Sequence, residues 1–257
     1  GNKHLIAANE GNAIALAAGH YLATKSVPVV YMQNSGIGNA INPLLSLCDK
    51  DVYAIPMLLL IGWRGEPGVT DEPQHSKQGK VQIELIKTLG IPFEILSSKD
   101  DDYRTKIYKC IKNAKSQSRP TILLVKKGTF AKSINPQKNN LINLMFREEA
   151  LKIILKKIDN NSIIVSTTGK TSREIFEIRE RNNDSHERDF LTVGSMGHCS
   201  SIALGIALAK PNRNVYCIDG DGSMLMHFGS MASIVSQKPQ NLKYILLNNE
   251  VHESVGG

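Results

Sequence analysis

Gly220-Asp221-Gly222 and Asn248-Asn249 are separated by the 25 residues 223–247, which open on Ser223 and read as one helix followed by an apolar strand at 242–247. A second apolar run, 214–218, leads into the first motif. Two strands joined by one helix-length connection lie as parallel neighbours, with a right-handed crossover. The spacing therefore predicts that a carboxylate and a carboxamide stand side by side at the carboxyl ends of two adjacent strands. Two hard oxygen ligands with glycines beside them suit a Mg²⁺ ion that clamps a diphosphate.

The rest of the chain repeats the same alternation, so an α/β fold with doubly wound parallel sheets is expected. In the first half, helices are predicted at 11–24, 37–48, 81–89 and 101–116, and strands at 27–32, 56–61, 92–96 and 121–126. In the second half, helices are predicted at 146–157, 172–180, 200–209 and 224–235, and strands at 162–166, 190–193, 214–218 and 242–247. Continuous apolar strands between helices mark sheets covered on both faces. Residues 62–80 read as a long polar loop. Residues 131–143 are rich in Lys, Asn and Pro and read as a linker. The expected division is a first domain at 1–130, the linker at 131–143 and a second domain at 144–257. The chain opens on Gly1 and stops just after the second motif, so each domain is expected to continue past the end given.

Composition narrows the class. With 41% hydrophobic and 21% charged residues, the chain reads as an ordinary globular protein. No apolar run approaches the roughly 18 residues of a membrane span, and no segment reads as a secretion signal, so a cytoplasmic protein without a membrane partner is expected. Cys48, Cys110, Cys199 and Cys217 form no CxxC pair and read as buried thiols. The net charge of +7 falls on amphipathic patterns, and aromatic residues are only 5%, which argues against a nucleic-acid partner. Gly169-Lys170-Thr171 lacks the first glycine of a phosphate-binding P-loop. The Gly36-x-Gly38 and Gly220-x-Gly222 pairs lack the third glycine of a dinucleotide fingerprint, His252-Glu253 lacks a zinc-site partner, and Asp219-x-Asp221 lacks later calcium ligands.

The Gly-Asp-Gly to Asn-Asn spacing resembles the motif of thiamine-diphosphate-dependent decarboxylases. Ala8-Asn9-Glu10-Gly11-Asn12-Ala13 is similar to the segment of that family whose glutamate contacts the aminopyrimidine. Gly194-Ser195-Met196-Gly197 is similar to the loop whose large apolar residue supports the bent cofactor. Five strings resemble the phosphonopyruvate decarboxylase branch of the family. These are Tyr31-Met32-Gln33-Asn34-Ser35-Gly36, Leu60-Ile61-Gly62-Trp63-Arg64-Gly65-Glu66-Pro67-Gly68, Asp71-Glu72-Pro73-Gln74-His75, Val193-Gly194-Ser195-Met196-Gly197-His198 and His252-Glu253-Ser254-Val255-Gly256-Gly257. The resemblance covers essentially the whole chain. The direct step from first to second half, with no middle domain, is also similar to this branch. Two departures stand out: Glu250 follows the asparagine pair where glycine is usual, and Lys170 stands where the family has an uncharged residue.

The resemblance implies thiamine diphosphate and Mg²⁺ as cofactors. Asp221 and Asn249 would give side-chain oxygens to the metal and Val251 its carbonyl. Gly220, Gly222, Ser223, Thr168 and Gly169 would line the diphosphate, and Gly194 and Met196 the pyrimidine. Glu10, flanked by Ala7, Ala8, Ala13 and Ile14, suits a desolvated carboxyl with a raised pKa; an ordinary acidic helix start is the bland alternative. The implied substrate is phosphonopyruvate, a small molecule, decarboxylated in phosphonate biosynthesis. Arg64 and His75, in a long loop that could form a lid with Lys77 and Lys80, are its candidate contacts, with Asn34 and Ser35 as further polar ones. His198 and His252 are candidate proton donors. A homodimer or higher homo-oligomer with active sites between chains is implied. The rival readings are a sulfopyruvate decarboxylase, an acetolactate-type carboligase and a non-catalytic interaction protein.

Overall fold

A computed structural model describes residues 4–131 and 145–250. The chain divides into two compact units, Gly1–Pro136 and Gln137–Gly257. Apart from Ala131, the expected linker lies outside the described residues.

The first unit runs α1 (Glu10–Thr24), β1 (Val29–Gln33), α2 (Ile37–Pro43), β2 (Met57–Gly62), α3 (Ser76–Thr88), β3 (Phe93–Leu96), α4 (Tyr103–Gln117) and β4 (Pro120–Val125). Its strands form a parallel sheet in the order β1-β2-β4-β3. Every residue of β4 is buried, as are four of the six in β2. Those continuous apolar runs have helices over both faces, which is why neither strand alternates in polarity. The register pairs Gln33 with Gly62, Gly62 with Val125 and Leu96 with Val125, so the four carboxyl ends are level.

The second unit runs α5 (Arg147–Lys157), β5 (Ile163–Ser166), α6 (Lys170–Asn182), β6 (Asp189–Leu191), α7 (Cys199–Ala209), β7 (Val215–Gly220), α8 (Asp221–Met226), α9 (Gly229–Gln237) and β8 (Leu242–Leu247). Its sheet is parallel in the order β6-β5-β7-β8. The strand order reverses between β5 and β7, the kind of switch point where α/β sheets open a crevice for ligands. All four cysteines are buried, and burial pushes the Cys48 and Cys110 thiols up to about 11. Among the described residues, no helix is long and apolar enough to cross a membrane.

Three expected elements differ. The helix predicted at 37–48 ends as an α-helix at Pro43 and widens into a π-helical turn over Leu44–Cys48. Helix α3 begins at Ser76, five residues before the predicted start, so Lys77 and Lys80 are exposed helix residues rather than loop residues. Its buried face consists of Gly79, Gln82 and Ile86, and two of these three are not hydrophobic, so apolar periodicity does not register the first turns. The helix predicted at 224–235 is broken at His227 and Phe228. The ring of His227 leaves the helix to pack beside Gly197 and against His198, at a centroid distance of 4.3 Å.

The loop after β2 is closed by one carboxylate. Asp71 accepts hydrogen bonds from Arg64 Nε at 2.8 Å and Nη2 at 2.5 Å, and from the backbone N–H groups of Gly65 at 2.7 Å and Glu72 at 2.8 Å. His75 Nδ1 lies 3.3 Å from the same carboxylate. The Arg64 guanidinium first, then these backbone donors, hold the Asp71 carboxyl well below the usual carboxylate range. Helix α3 presses on this loop through Gly79, where a Cβ would sit 1.8 Å from the Gly65 carbonyl oxygen. The expected lid is thus a pinned turn. Asp71→Asn is predicted to destabilise the first unit by about 2 kcal/mol, because buried donors lose a charged acceptor. Since the folded pKa of Asp71 is depressed, that stabilisation is present above the unfolded value and is lost as pH falls below about 4. Urea unfolding should show a constant gap between wild type and variant from pH 6 to 8 that narrows under acid.

Candidate functional site

In the second unit, three strand-end segments meet beside the switch point: 167–169 after β5, 192–198 after β6 and 220–223 after β7. Ser223 ties them together. Its Oγ accepts hydrogen bonds from Thr167 Oγ1 at 2.9 Å and from the Gly197 N–H at 3.0 Å. Thr168 Oγ1 donates to the Val193 carbonyl at 2.6 Å, and Thr192 Oγ1 to the Ser166 carbonyl at 2.7 Å. Ser172 Oγ donates to the Thr167 carbonyl at 2.7 Å. Gly197 has a φ of +92°, and a Cβ there would lie 2.5 Å from the His227 ring and 3.2 Å from the Ser223 carbonyl oxygen. Only glycine suits both the conformation and the contact.

Asp221 opens α8 directly after β7 and is half-buried. The register pairs Gly220 with Leu247, so Asp221 and Asn248-Asn249 leave the sheet at neighbouring strand ends. This is the juxtaposition that the spacing predicts. Asn248 and Asn249 are exposed, and Asn248 Oδ1 accepts the Glu250 N–H at 2.9 Å. Val251 and His252 lie outside the described residues. Gly194 and Met196 are half-buried in the loop after β6, and His198 is exposed, its Nδ1 3.1 Å from the Ser195 carbonyl oxygen.

One expectation about this segment changes. The Gly222 N–H donates to Asp221 Oδ1 at 2.9 Å, so it is engaged within the turn. The hydroxyl of Ser223 is buried as the knot of three loops, whereas the expectation for this residue concerns its backbone N–H. Sequence reasoning also passed over Thr167, Ser172, Thr192 and His227. Their signal was a run of Ser and Thr at strand ends, where hydroxyls satisfy backbone groups that the sheet has stopped pairing.

In the first unit, the carboxyl edge of the sheet gathers Glu10, Asn34, Ser35 and Arg64. Asn9 caps α1 by accepting the Asn12 N–H at 2.9 Å, and this places Glu10 in the first turn. Asn39 Nδ2 donates to Glu10 Oε2 at 2.8 Å. The carboxyl lies flat on Gly36, where a Cβ would come within 2.1 Å of Oε1. Glu10 is half-buried within this unit rather than fully desolvated.

Asn34 and His75 are corrections. Asn34 is 0% exposed, and its amide is spent on Arg64, donating to the backbone carbonyl at 2.9 Å and accepting the backbone N–H at 2.9 Å. His75 is buried against Asp71. Both hold the loop rather than face a ligand. Arg64 keeps only Nη1 outside the Asp71 clamp, 3.5 Å from Gln33 Oε1, while Ser35 is exposed.

The residues present fit thiamine diphosphate and Mg²⁺. Gly169 and Gly220 have nothing within 4 Å of where a Cβ would stand, so bare backbone is approachable at two strand ends beside Asp221. Among the described residues, no group of three His, Cys, Asp or Glu could hold a metal ion by itself. A hard cation here would therefore draw on a carboxylate, a carboxamide, backbone and the oxygens of a diphosphate.

Glu250 shows the cost of replacing the usual glycine, since its φ is +59°, the left-handed region. Glu250→Gly is predicted to stabilise the second unit by about 0.5–1 kcal/mol, read as a later urea midpoint at unchanged slope.

Comparison with known proteins bears on the same segments. Residues 1–86 match the N-terminal thiamine pyrophosphate (thiamine diphosphate) binding domain of thiamine pyrophosphate enzymes, and residues 167–257 match the C-terminal binding domain. The chain is 34% identical to phosphonopyruvate decarboxylase of Streptomyces viridochromogenes over 99% of its own length and 66% of that protein's. It is also 34% identical to phosphonopyruvate decarboxylase of Streptomyces hygroscopicus, covering 99% of this chain and 65% of the relative. It is 30% identical to sulfopyruvate decarboxylase of Methanosarcina acetivorans, covering 96% and 66% respectively. The chain thus spans just under two thirds of the length of the relatives it matches. With both binding domains matched and two parallel α/β sheets to carry them, the chain belongs to the thiamine pyrophosphate enzyme family.

Proposed function

We propose that this protein is a carboxy-lyase that decarboxylates 3-phosphonopyruvate to phosphonoacetaldehyde and CO₂, with thiamine diphosphate and Mg²⁺, in cytoplasmic phosphonate biosynthesis. The observation that carries the reading is the Asp221 turn beside Asn248-Asn249 at the paired ends of β7 and β8. Similarity to two phosphonopyruvate decarboxylases supports the substrate.

When bound, thiamine diphosphate supplies a nucleophilic carbon and an electron sink. The chain's own groups do the rest. Asp221 and Asn249 would hold the metal, Val251 being a further candidate through its carbonyl, and the exposed backbone at Gly169 and Gly220 would admit the diphosphate, with Thr168 beside it. Glu10, oriented by Asn39 and seated on Gly36, would meet an aminopyrimidine nitrogen. Gly194 and Met196 support the ring. In the reaction the bond between the substrate's carbonyl carbon and its carboxylate breaks, and a proton takes the place of CO₂ on that carbon. His198 stands at the rim as a proton donor, and His252 is a second candidate. Ser35 and Arg64 Nη1 remain to meet the phosphonate, which carries more charge than a sulfonate.

The active unit is proposed to be a homodimer or larger, with Glu10 of one chain and Asp221 of another serving one cofactor. Uncovered apolar helix surface supports this. Leu225, Phe228 and Val235 are 53–69% exposed, and α9 has no buried residue among the described ones. Mixing inactive Glu10→Gln chains with inactive Asp221→Ala chains is then predicted to restore activity, because one hybrid site carries neither defect. Proven subunit exchange without recovery would refute shared sites.

The substrate is tested by assaying phosphonopyruvate and sulfopyruvate side by side. At least tenfold higher kcat/KM for phosphonopyruvate is expected. The reverse ranking would reassign the protein as a sulfopyruvate decarboxylase, and a condensation product with an added 2-oxo acid would reassign it as a carboligase.

A further inference from the structure

Beneath the Asp221 turn lies a buried carboxylate that the proposed chemistry leaves unused. Asp219 is 0% exposed. Its Oδ1 accepts the Gly220 N–H at 2.8 Å, and its Oδ2 accepts the Tyr244 hydroxyl at 2.7 Å. Burying a carboxylate on two hydrogen bonds is costly, and an apolar side chain at this position would not carry that cost. Burial and the adjacent Asp219 push the Tyr244 hydroxyl's pKa up, so Tyr244 remains a donor.

The register gives this pair its meaning. Tyr244 stands opposite Cys217, and Asp219 opposite Leu246, so the hydroxyl reaches diagonally across the ladder, a span open to an aromatic side chain. The brace crosses from β8 to β7 one residue before β7 ends. Its other oxygen holds the amide that begins the turn into Asp221. A single carboxylate therefore fixes two things together: the direction in which the chain leaves β7, and the position of β8, whose end carries Asn248-Asn249. Mg²⁺ tolerates little error in ligand placement, and such sites depend on supporting groups for positions good to about 0.5 Å.

We infer that Asp219 and Tyr244 are positioning residues that set the distance between Asp221 and Asn249 and so the Mg²⁺-dependent affinity for thiamine diphosphate. The inference rests on the metal-site reading above. It names neither residue as a ligand. An asparagine at 219 can accept the Gly220 N–H through Oδ1 and donate through Nδ2 to the Tyr244 oxygen, so it preserves the brace without the charge.

The test is calorimetric titration of the full chain with thiamine diphosphate at fixed Mg²⁺, beside thermal unfolding of the cofactor-free protein. Tyr244→Phe and Asp219→Ala are each expected to weaken binding at least tenfold, with Asp219→Asn staying within about threefold of wild type. Should Asp219→Ala fail to fold, Tyr244→Phe carries the test alone. Wild-type affinity in Tyr244→Phe, with or without a lower melting temperature, overturns the inference, because the brace would then serve stability only. Equal losses in Asp219→Asn and Asp219→Ala also overturn it, because charge rather than geometry would be at work. Asp221→Ala separates the two claims. If it binds as wild type does, the metal-site reading fails. If it weakens while Tyr244→Phe does not, only the positioning role fails.

Discussion

In a parallel sheet all strands end on one edge, and the register decides which endings stand level. Here that constraint organises the whole candidate site. Gly220 opposite Leu247 puts Asp221 beside Asn248-Asn249. Ser166, opposite both Leu191 and Ile218, brings the loops after β5, β6 and β7 to one place. In the first unit, Gln33, Gly62 and Val125 are level, so Asn34, Trp63 and Lys126 leave the sheet side by side, with Arg64 one residue further on. Slipping any of these strands by one residue would move its side chains to the opposite face of the sheet, against the wrong helices, as well as displace the site residue. Core packing and site geometry are thus held by the same hydrogen-bond ladders.

A division of labour follows at each strand end. Some polar side chains bond the backbone of neighbouring loops: Asn34 on Arg64, Asp71 on Gly65 and Glu72, Ser223 on Gly197, Asp219 on Gly220. They are buried because unpaired backbone groups near the sheet edge need partners that water does not supply. Others, Asp221, Asn249, Glu10 and His198, remain at least partly accessible. Short polar residues serve both purposes, and this is why the candidate lists mix them.

The fold was legible because β2, β4, β5 and β7 are continuous apolar runs separated by helix-length segments. The Gly220–Ser223 to Asn248-Asn249 spacing also marked which strand ends are neighbours. Helix α3 was read short because Gly79 and Gln82, not leucines, form its inner face. Arg64 and His75 read as loop cations because sequence order does not reveal that the Asp71 carboxylate engages both side chains. Asp219 was dismissed as an incomplete calcium motif, and its partner Tyr244 is 25 residues away. Pairings across a ladder depend on register, which spacing specifies only once both strands are known.

On the reading proposed here, β7 and β8 together present a metal-dependent diphosphate site. The direct measurement is thiamine diphosphate binding to the wild-type protein, by calorimetry, first with a metal chelator and then with Mg²⁺ restored. No saturable binding is expected in the chelator, and full binding on return of Mg²⁺. Equal affinity in both conditions would contradict it.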